Sequence, residues 1–222
     1  MHKTKIICTL GPASSSNEIL EELILCGMDA ARFNFSHGDH ESHLEQLNNL
    51  RQACRRLNAR VATILDTKGP EIRIRSVEEG AKLKAGNQFV LTTEDVTGNC
   101  ERASVTYPKL AQELSRGCRI LIDDGLIELR VEKIEDCNIV CTVINGGMLS
   151  SNKSINVPDV HISLPSLTPR DIEDIKFGVE NDFDYIAASF VRRAEDVEDI
   201  RRVLYSSGGS HIDIIAKIEN RE

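Results

Sequence analysis

Three short stretches place residues able to manage phosphate and cations at spacings that suit a strand end. In Arg32-Phe33-Asn34-Phe35-Ser36-His37-Gly38, strand alternation sets Arg32, Asn34 and Ser36 on one side and Phe33 and Phe35 on the other. A guanidinium, an amide and a hydroxyl converging there would hold a phosphate and a cation together. The plainer alternative is a solvated strand terminus with ordinary turn hydrogen bonds. In Asp66-Thr67-Lys68-Gly69-Pro70-Glu71-Ile72-Arg73, the Asp, Thr and Glu are hard oxygen donors suited to Mg²⁺ or K⁺, and the Lys and Arg suit phosphate. Here the alternative is a charged hinge leading into a second domain. In Ala216-Lys217-Ile218-Glu219, the lysine and the glutamate share a strand face. A lysine among Ile and Ala needs a partner, because burial disfavours its cation. Such a lysine would face a transferring phosphoryl group while the carboxylate holds its metal.

Other candidates have simpler explanations. His40-Glu41-Ser42-His43 lacks one spacer residue of the zinc-protease helix motif, so both histidines are expected to be exposed first-turn residues. Cys137 and Cys141 read as core filler. Ser14-Ser15-Ser16 reads as helix capping, with Ser15-x-x-Glu18 as the capping box. There is no GxxxxGK[ST] loop and no GxGxxG, so a nucleotide would be held in neither the Walker nor the Rossmann manner.

The hydrophobic pattern supplies the scaffold for these residues. Ile6 to Leu10 is a short apolar run, as a strand buried on both faces would be, and Ile19, Leu20, Leu23 and Ile24 follow at helical spacing before Gly27. A strand from about Ala30 to Phe35 precedes a long helix burying Leu44, Leu47, Leu50, Cys54 and Leu57, and Val61 to Leu65 is a third strand. From about Arg73 to Ser163 the texture becomes β-rich, with a short helix near Lys109 to Leu114. Asp123-Asp124-Gly125 sits between two strand-like runs as a hairpin signal. The βα rhythm then resumes. Thr168 caps a helix with Pro169 at its first position and Ile172, Ile175 and Val179 inside; a strand from Tyr185 to Phe190, a helix from Ala194 to Leu204 and a strand from Ile212 to Ile218 follow. The fold class is therefore α/β: an incomplete (β/α)₈ TIM barrel, about five strands of it, with an inserted small β-barrel domain. Its segments are 1–69, the inserted 70–163, and 164–222.

Composition narrows the function classes. The 222 residues carry 27 basic and 35 acidic side chains for a net charge of −8, with 4% aromatics and no Trp, which disfavours a nucleic-acid partner. No apolar run reaches the ~20 residues that span a bilayer, and the start of the chain is too short in apolar residues for a signal peptide. An odd count of 7 cysteines without CxxC spacing points to reduced thiols and a cytoplasmic setting.

At these residues the sequence resembles pyruvate kinase. Thr4 to Ser14 is similar to the family's opening strand. Ala31-Arg32-Phe33-Asn34-Phe35-Ser36-His37-Gly38 and Asp66 to Arg73 are similar to its next two signatures, Asn156-Val157-Pro158 to the exit from its mobile lid, and Ala188-Ser189-Phe190-Val191-Arg192 and Ile215-Ala216-Lys217-Ile218-Glu219-Asn220 to two more. The resemblance runs in order from about residue 3 to the end. It implies phosphoryl transfer from phosphoenolpyruvate to ADP, giving pyruvate and ATP in the last step of glycolysis. It further implies Mg²⁺ (or Mn²⁺) and K⁺ as cofactors, and a homotetramer for full-length members. Asn34, Ser36, Asp66 and Thr67 would ligate K⁺, with Glu71 the residue type of K⁺-dependent members. Arg32 would contact substrate phosphate; Arg73, His37 and Asn34 would lie toward the nucleotide, and Lys153 would reach its phosphates. Lys217 would stabilise the phosphoryl group in flight, and Glu219 would ligate the divalent metal.

Family chains are about twice as long, so the chain reads as an N-terminal portion. It lacks the remaining strands, the second Mg²⁺ carboxylate, the threonine near enolate proton transfer and the allosteric domain, and by itself it is expected to turn over little or not at all. Two rivals stand beside this expectation: a non-catalytic nucleotide- or metal-binding remnant or association module, and a lyase-type barrel handling the same substrates.

Overall fold

The computed structural model describes residues 3–160 and 162–219; Asn220, the last residue of the final motif, lies outside them, as do the other residues of 220–222. Two compact units emerge, one from the residues up to Pro70 together with Pro165–Glu219, the other from Glu71–Leu164. The chain runs β1 (Ile7–Thr9), α1 (Asn17–Leu25), β2 (Ala30–Asn34), α2 (His40–Leu57) and β3 (Ala62–Asp66). The second unit follows with β4 (Ile72–Arg73), β5 (Gln88–Thr92), β6 (Arg102–Ser104), α3 (Leu110–Glu113), β7 (Arg119–Ile122), β8 (Ile127–Glu135), β9 (Asn138–Asn145) and β10 (Ser154–Asn156). Then come α4 (Pro169–Glu180), β11 (Tyr185–Ala188), α5 (Ala194–Ser206) and β12 (Asp213–Ala216).

The first unit is a five-stranded sheet in the order β1-β2-β3-β11-β12, every pair parallel. Parallel neighbours joined through helices are the βα repeat of a TIM barrel, and the chain is an α/β partial barrel with an inserted β-domain. Its core gathers Phe33, Phe35, Leu47, Leu50, Leu65, Ile175, Phe183, Ile186 and Ile200 between the sheet and its helices. Phe33 and Phe183 meet edge to face at 5.2 Å. The second unit is a seven-stranded sheet in the order β4-β10-β7-β8-β9-β5-β6, closed over a separate core that includes Ile74, Phe89, Leu91, Ile120, Leu129 and Cys141. Its β7–β8 turn holds Asp123 at φ 55° and Asp124 at φ 54°, the left-handed pair a tight hairpin requires. Among the described residues no helix is long and apolar enough to cross a membrane.

Several local expectations are corrected. The cap of α1 is Ser16, whose hydroxyl accepts from the Ile19 amide, while Ser15 turns back to the Pro12 carbonyl. β1 is not buried on both faces: Ile7 is 56% exposed, because β1 is an edge strand among the described residues. The inner stripe of α2 is His43, Leu47, Leu50 and Ala53, with Leu44 turned outward. On α4 the buried face is Asp171, Asp174, Ile175, Phe177 and Gly178; Val179 packs partly buried against the core as expected, whereas Ile172 is only partly buried and two carboxylates share the inner face. His43 is buried, contrary to the exposed position predicted for it, and stacks on Phe35 at 4.1 Å. Polar residues occupy core positions here because the loop above them supplies hydrogen-bond partners that periodicity does not register.

Phe183→Ala should cost about 3–5 kcal/mol by emptying the aromatic cluster. Measured by amide hydrogen exchange, β2 and β3 should lose protection while β7–β9 of the other unit keep theirs. Burial pushes the Cys141 thiol up to about 12, so at pH 8 its thiolate fraction is on the order of 10⁻⁴. Iodoacetamide followed by mass spectrometry should therefore modify the exposed Cys26 and Cys100 first and reach Cys141 only in denaturant.

Candidate active site

In a parallel sheet of this kind, chemistry collects at the carboxyl ends of the strands. The register brings Asn34 of β2 opposite Asp66 of β3, and Asp66 opposite Ala187 of β11. Asp66 ends β3 with a side chain only 2% exposed. Its Oδ2 accepts from Arg32 Nε at 2.5 Å, and its Oδ1 from Lys217 Nζ at 3.0 Å. A carboxylate taken out of water costs several kcal/mol unless cations and hydrogen bonds compensate, and Asp66 has two cations. Arg32 also donates from Nη1 to Thr9 Oγ1 at 2.9 Å, so β1, β2 and β3 are tied through one guanidinium. The pair predicted from sequence as phosphate contact and phosphoryl stabiliser thus sits on a shared counter-ion.

Lys217 has two more oxygen partners, Ser189 Oγ at 2.8 Å and Glu219 Oε1 at 3.2 Å. Glu219 in turn accepts from the Phe190 amide at 3.0 Å through its other oxygen. Phe190 holds φ 56°, a left-handed conformation uncommon outside glycine, which turns the backbone just past β11. Gly69 at φ 70° makes the matching turn past β3; an added Cβ would lie 3.0 Å from the Ser189 carbonyl. At that left-handed φ, and with so little room beside a neighbouring backbone, glycine is strongly favoured.

Ser189 is the residue that sequence reasoning left without a role. Nearly buried, it accepts from Lys217, donates to the Thr67 carbonyl at 2.6 Å and lies 3.2 Å from Asp66 Oδ1. Its signal was present: a hydroxyl ending the apolar run Tyr185–Ala188 must find partners if it is buried.

The remaining predicted oxygens form two groups. Asn34 Oδ1 accepts from the Ser36 amide at 3.1 Å, an Asx turn that opens the loop after β2. Thr67 is buried, with Oγ1 accepting from the Ser189 amide at 3.3 Å. Amide, hydroxyl and carboxylate oxygens, with the one carboxylate already balanced by two cations, suit a large, weakly charged cation such as K⁺. For a divalent ion the fit is incomplete. Glu219 and Asp66 are both beside Lys217, Asp66 is also paired with Arg32, and among the described residues no three His, Cys, Asp or Glu are grouped to hold a metal. His37 is exposed, its backbone engaged with Asn34 and His43.

Arg73 and Lys153 belong to the β-rich unit. Arg73 donates to Glu71 Oε2 at 2.7 Å and to the Asn152 carbonyl at 2.6 Å, and Lys153 pairs with Asp123 at 2.9 Å. Arg73 thus ends β4, an edge strand, and Lys153 directly precedes β10, its neighbour; both have local partners, of which Asp123, on the β7–β8 turn, was not anticipated.

Comparison with known proteins places this geometry in a lineage. The family model described as "Pyruvate kinase, barrel domain" matches residues 1–222. The chain is 51% identical over 223 residues to the pyruvate kinase of Geobacillus stearothermophilus, covering 99% of this chain and 38% of that protein. The corresponding figures are 48% over 225 residues, 100% and 38%, for the pyruvate kinase of Staphylococcus saprophyticus, and 46%, 100% and 38% for that of Staphylococcus aureus. The chain thus spans 38% of the length of these relatives. With a family match over its whole length and strand-end residues arranged around Asp66, the chain belongs to the pyruvate kinase family.

Proposed function

We propose that this chain contributes to phosphoryl transfer from phosphoenolpyruvate to ADP. The observation that carries the proposal is the cluster in which Asp66 holds Arg32 and Lys217 side by side at the strand ends. In that transfer the bond between the enol oxygen and phosphorus breaks, and a bond from the ADP β-phosphate oxygen to phosphorus forms. The enolate left behind takes a proton to become pyruvate. Both reactants are anions, so catalysis consists of positioning and of positive charge held where the phosphoryl group passes. Arg32 binds substrate phosphate, and Lys217 faces the group in flight. Asn34, Ser36, Asp66 and Thr67 would hold K⁺, and Glu219 would provide one ligand to Mg²⁺ or Mn²⁺; these ions supply local positive charge within an acidic chain. Arg73, Lys153, His37 and Asn34 would contact the nucleotide. Ser189 orients Lys217 by accepting a hydrogen bond from one of its three N–H groups. The site is assigned to the cytoplasm, where the family's glycolytic role lies.

Binding without turnover is the second reading: of the two carboxylates beside Lys217, Asp66 is already paired with Arg32, leaving Glu219 alone to offer a divalent ion. The two separate in one experiment on the purified chain: ³¹P NMR of phosphoenolpyruvate with Mn²⁺, alongside pyruvate formation coupled to NADH oxidation. Line broadening that Lys217→Met and Arg32→Met each reduce about tenfold in affinity supports the site. Little or no pyruvate is expected from the chain alone, whereas a metal-dependent rate lowered on the order of 10²–10³-fold by Lys217→Met would favour full catalysis. No binding in the wild-type chain, or cleavage of a carbon–carbon bond, would sink the proposal. Ser189→Ala should destabilise the first unit by about 1–3 kcal/mol, the cost of leaving buried partners unpaired. Urea titration followed by hydrogen exchange at β3 and β11 checks it.

A further inference from the structure

Beneath the loop that joins β2 to α2, four polar side chains from two helices meet in a way that the proposed transfer does not use. Arg170, at the start of α4, donates from Nη2 to the Phe35 carbonyl at 3.2 Å and to the Gly38 carbonyl at 3.3 Å. His43, from the first turn of α2, bonds the His37 carbonyl at 2.9 Å through Nε2. A carbonyl only accepts, so Nε2 carries the proton. His40, the first residue of α2, bonds Asp174 Oδ1 at 2.6 Å. Three carbonyls of Phe35–Gly38 are thus held by side chains from below, and the rings on either side are stacked: Phe35 on His43 at 4.1 Å, His40 on Phe177 at 4.5 Å.

Asp174 links the parts. Its side chain is 1% exposed, and its Oδ2 makes no hydrogen bond among the described residues but lies 3.8 Å from Arg170 Nε. Burial pushes the Asp174 carboxyl up, opposed by its bond to His40. Such a carboxylate is costly in the core unless its neighbours compensate it; of those neighbours Arg170 bonds the loop directly, and His40 is the residue at which the loop enters α2. One turn earlier Asp171, fully buried, accepts from the Gly69 amide at 2.9 Å. The first two turns of α4 therefore grip the loops after β2 and after β3 together; those loops start from Asn34 and Asp66, which end the strands, and carry Ser36 and Thr67.

We propose that Arg170 and Asp174 are positioning residues: through the Phe35 and Gly38 carbonyls and through His40, they set the loop that presents the Asn34 and Ser36 oxygens. The role assigned to those oxygens rests on the function proposed above; the clamp itself does not. Within the loop the Ser36 amide bonds Asn34 Oδ1 at 3.1 Å and the His37 amide bonds the Asn34 carbonyl at 3.2 Å, so both amides report whether the loop is held.

The test uses the 222-residue chain with Arg170→Met and Asp174→Asn. Amide hydrogen exchange is read residue by residue, and Tl⁺, a K⁺ substitute, is titrated by ²⁰⁵Tl NMR. Exchange at Ser36 and His37 should rise about tenfold in each variant while β7–β9 stay unchanged. Tl⁺ affinity should fall about tenfold in parallel. Arg170 is about half exposed, so its variant decides the matter even where Asp174→Asn does not fold. Unaltered exchange at Ser36 and His37 would overturn the clamp. Faster exchange with unchanged Tl⁺ affinity would overturn the positioning role, since a merely structural contact behaves that way. A wild-type chain that takes up no Tl⁺ would overturn the cation role of Asn34 and Ser36. In that case accelerated exchange still supports the clamp, and unaltered exchange still overturns it.

Discussion

A carboxylate at the end of a buried parallel strand must be neutralised, and the first unit is organised around how that is done for Asp66. The ion pairs to Arg32 and Lys217 join β2, β3 and the segment after β12, and the Arg32 bond to Thr9 adds β1. Removing one partner of such a pair leaves an uncompensated charge, which costs about 3–5 kcal/mol. The same contacts that stabilise the strand ends therefore hold two cations side by side. That coupling gives the strand ends little freedom to rearrange, because their cations are also the counter-ions of the core.

Around that centre, the turns are bent by local constraint. Gly69 and Phe190 both take left-handed backbone conformations, and they lie at the exits of β3 and β11. The first brings the chain against Ser189, where an added Cβ would be tightly crowded. The second aims an amide at Glu219. Strain of about 1–3 kcal/mol at a non-glycine residue persists only where surrounding contacts over-determine it, and here the Glu219–Lys217–Asp66 chain supplies them.

The β-rich unit obeys a different logic. Its mostly antiparallel sheet, with β5 and β6 parallel, packs over an apolar core, and its charged residues pair on the surface at edges and turns. Lys153 with Asp123 and Arg73 with Glu71 are partly exposed pairs, worth little to stability individually. Their cations can exchange partners at low cost.

Much of this was legible along the chain. The alternation of Arg32, Asn34 and Ser36 against Phe33 and Phe35, the lysine set among Ile and Ala, and the return of βα rhythm after a β-rich insertion depend on short-range periodicity, which backbone geometry imposes on any sequence. What periodicity does not contain is the identity of partners far along the chain. That His43 is buried, that Asp174 reaches His40 across 134 positions, and that Ser189 bridges Lys217 and Thr67 follow only once α4 and β11 pack beside β2 and β3. The sequence by itself determined the residue types, their faces and the class of fold. The tertiary structure alone decided which charge neutralises which, because the energy of a buried charge depends on neighbours brought together by packing and not by order in the chain.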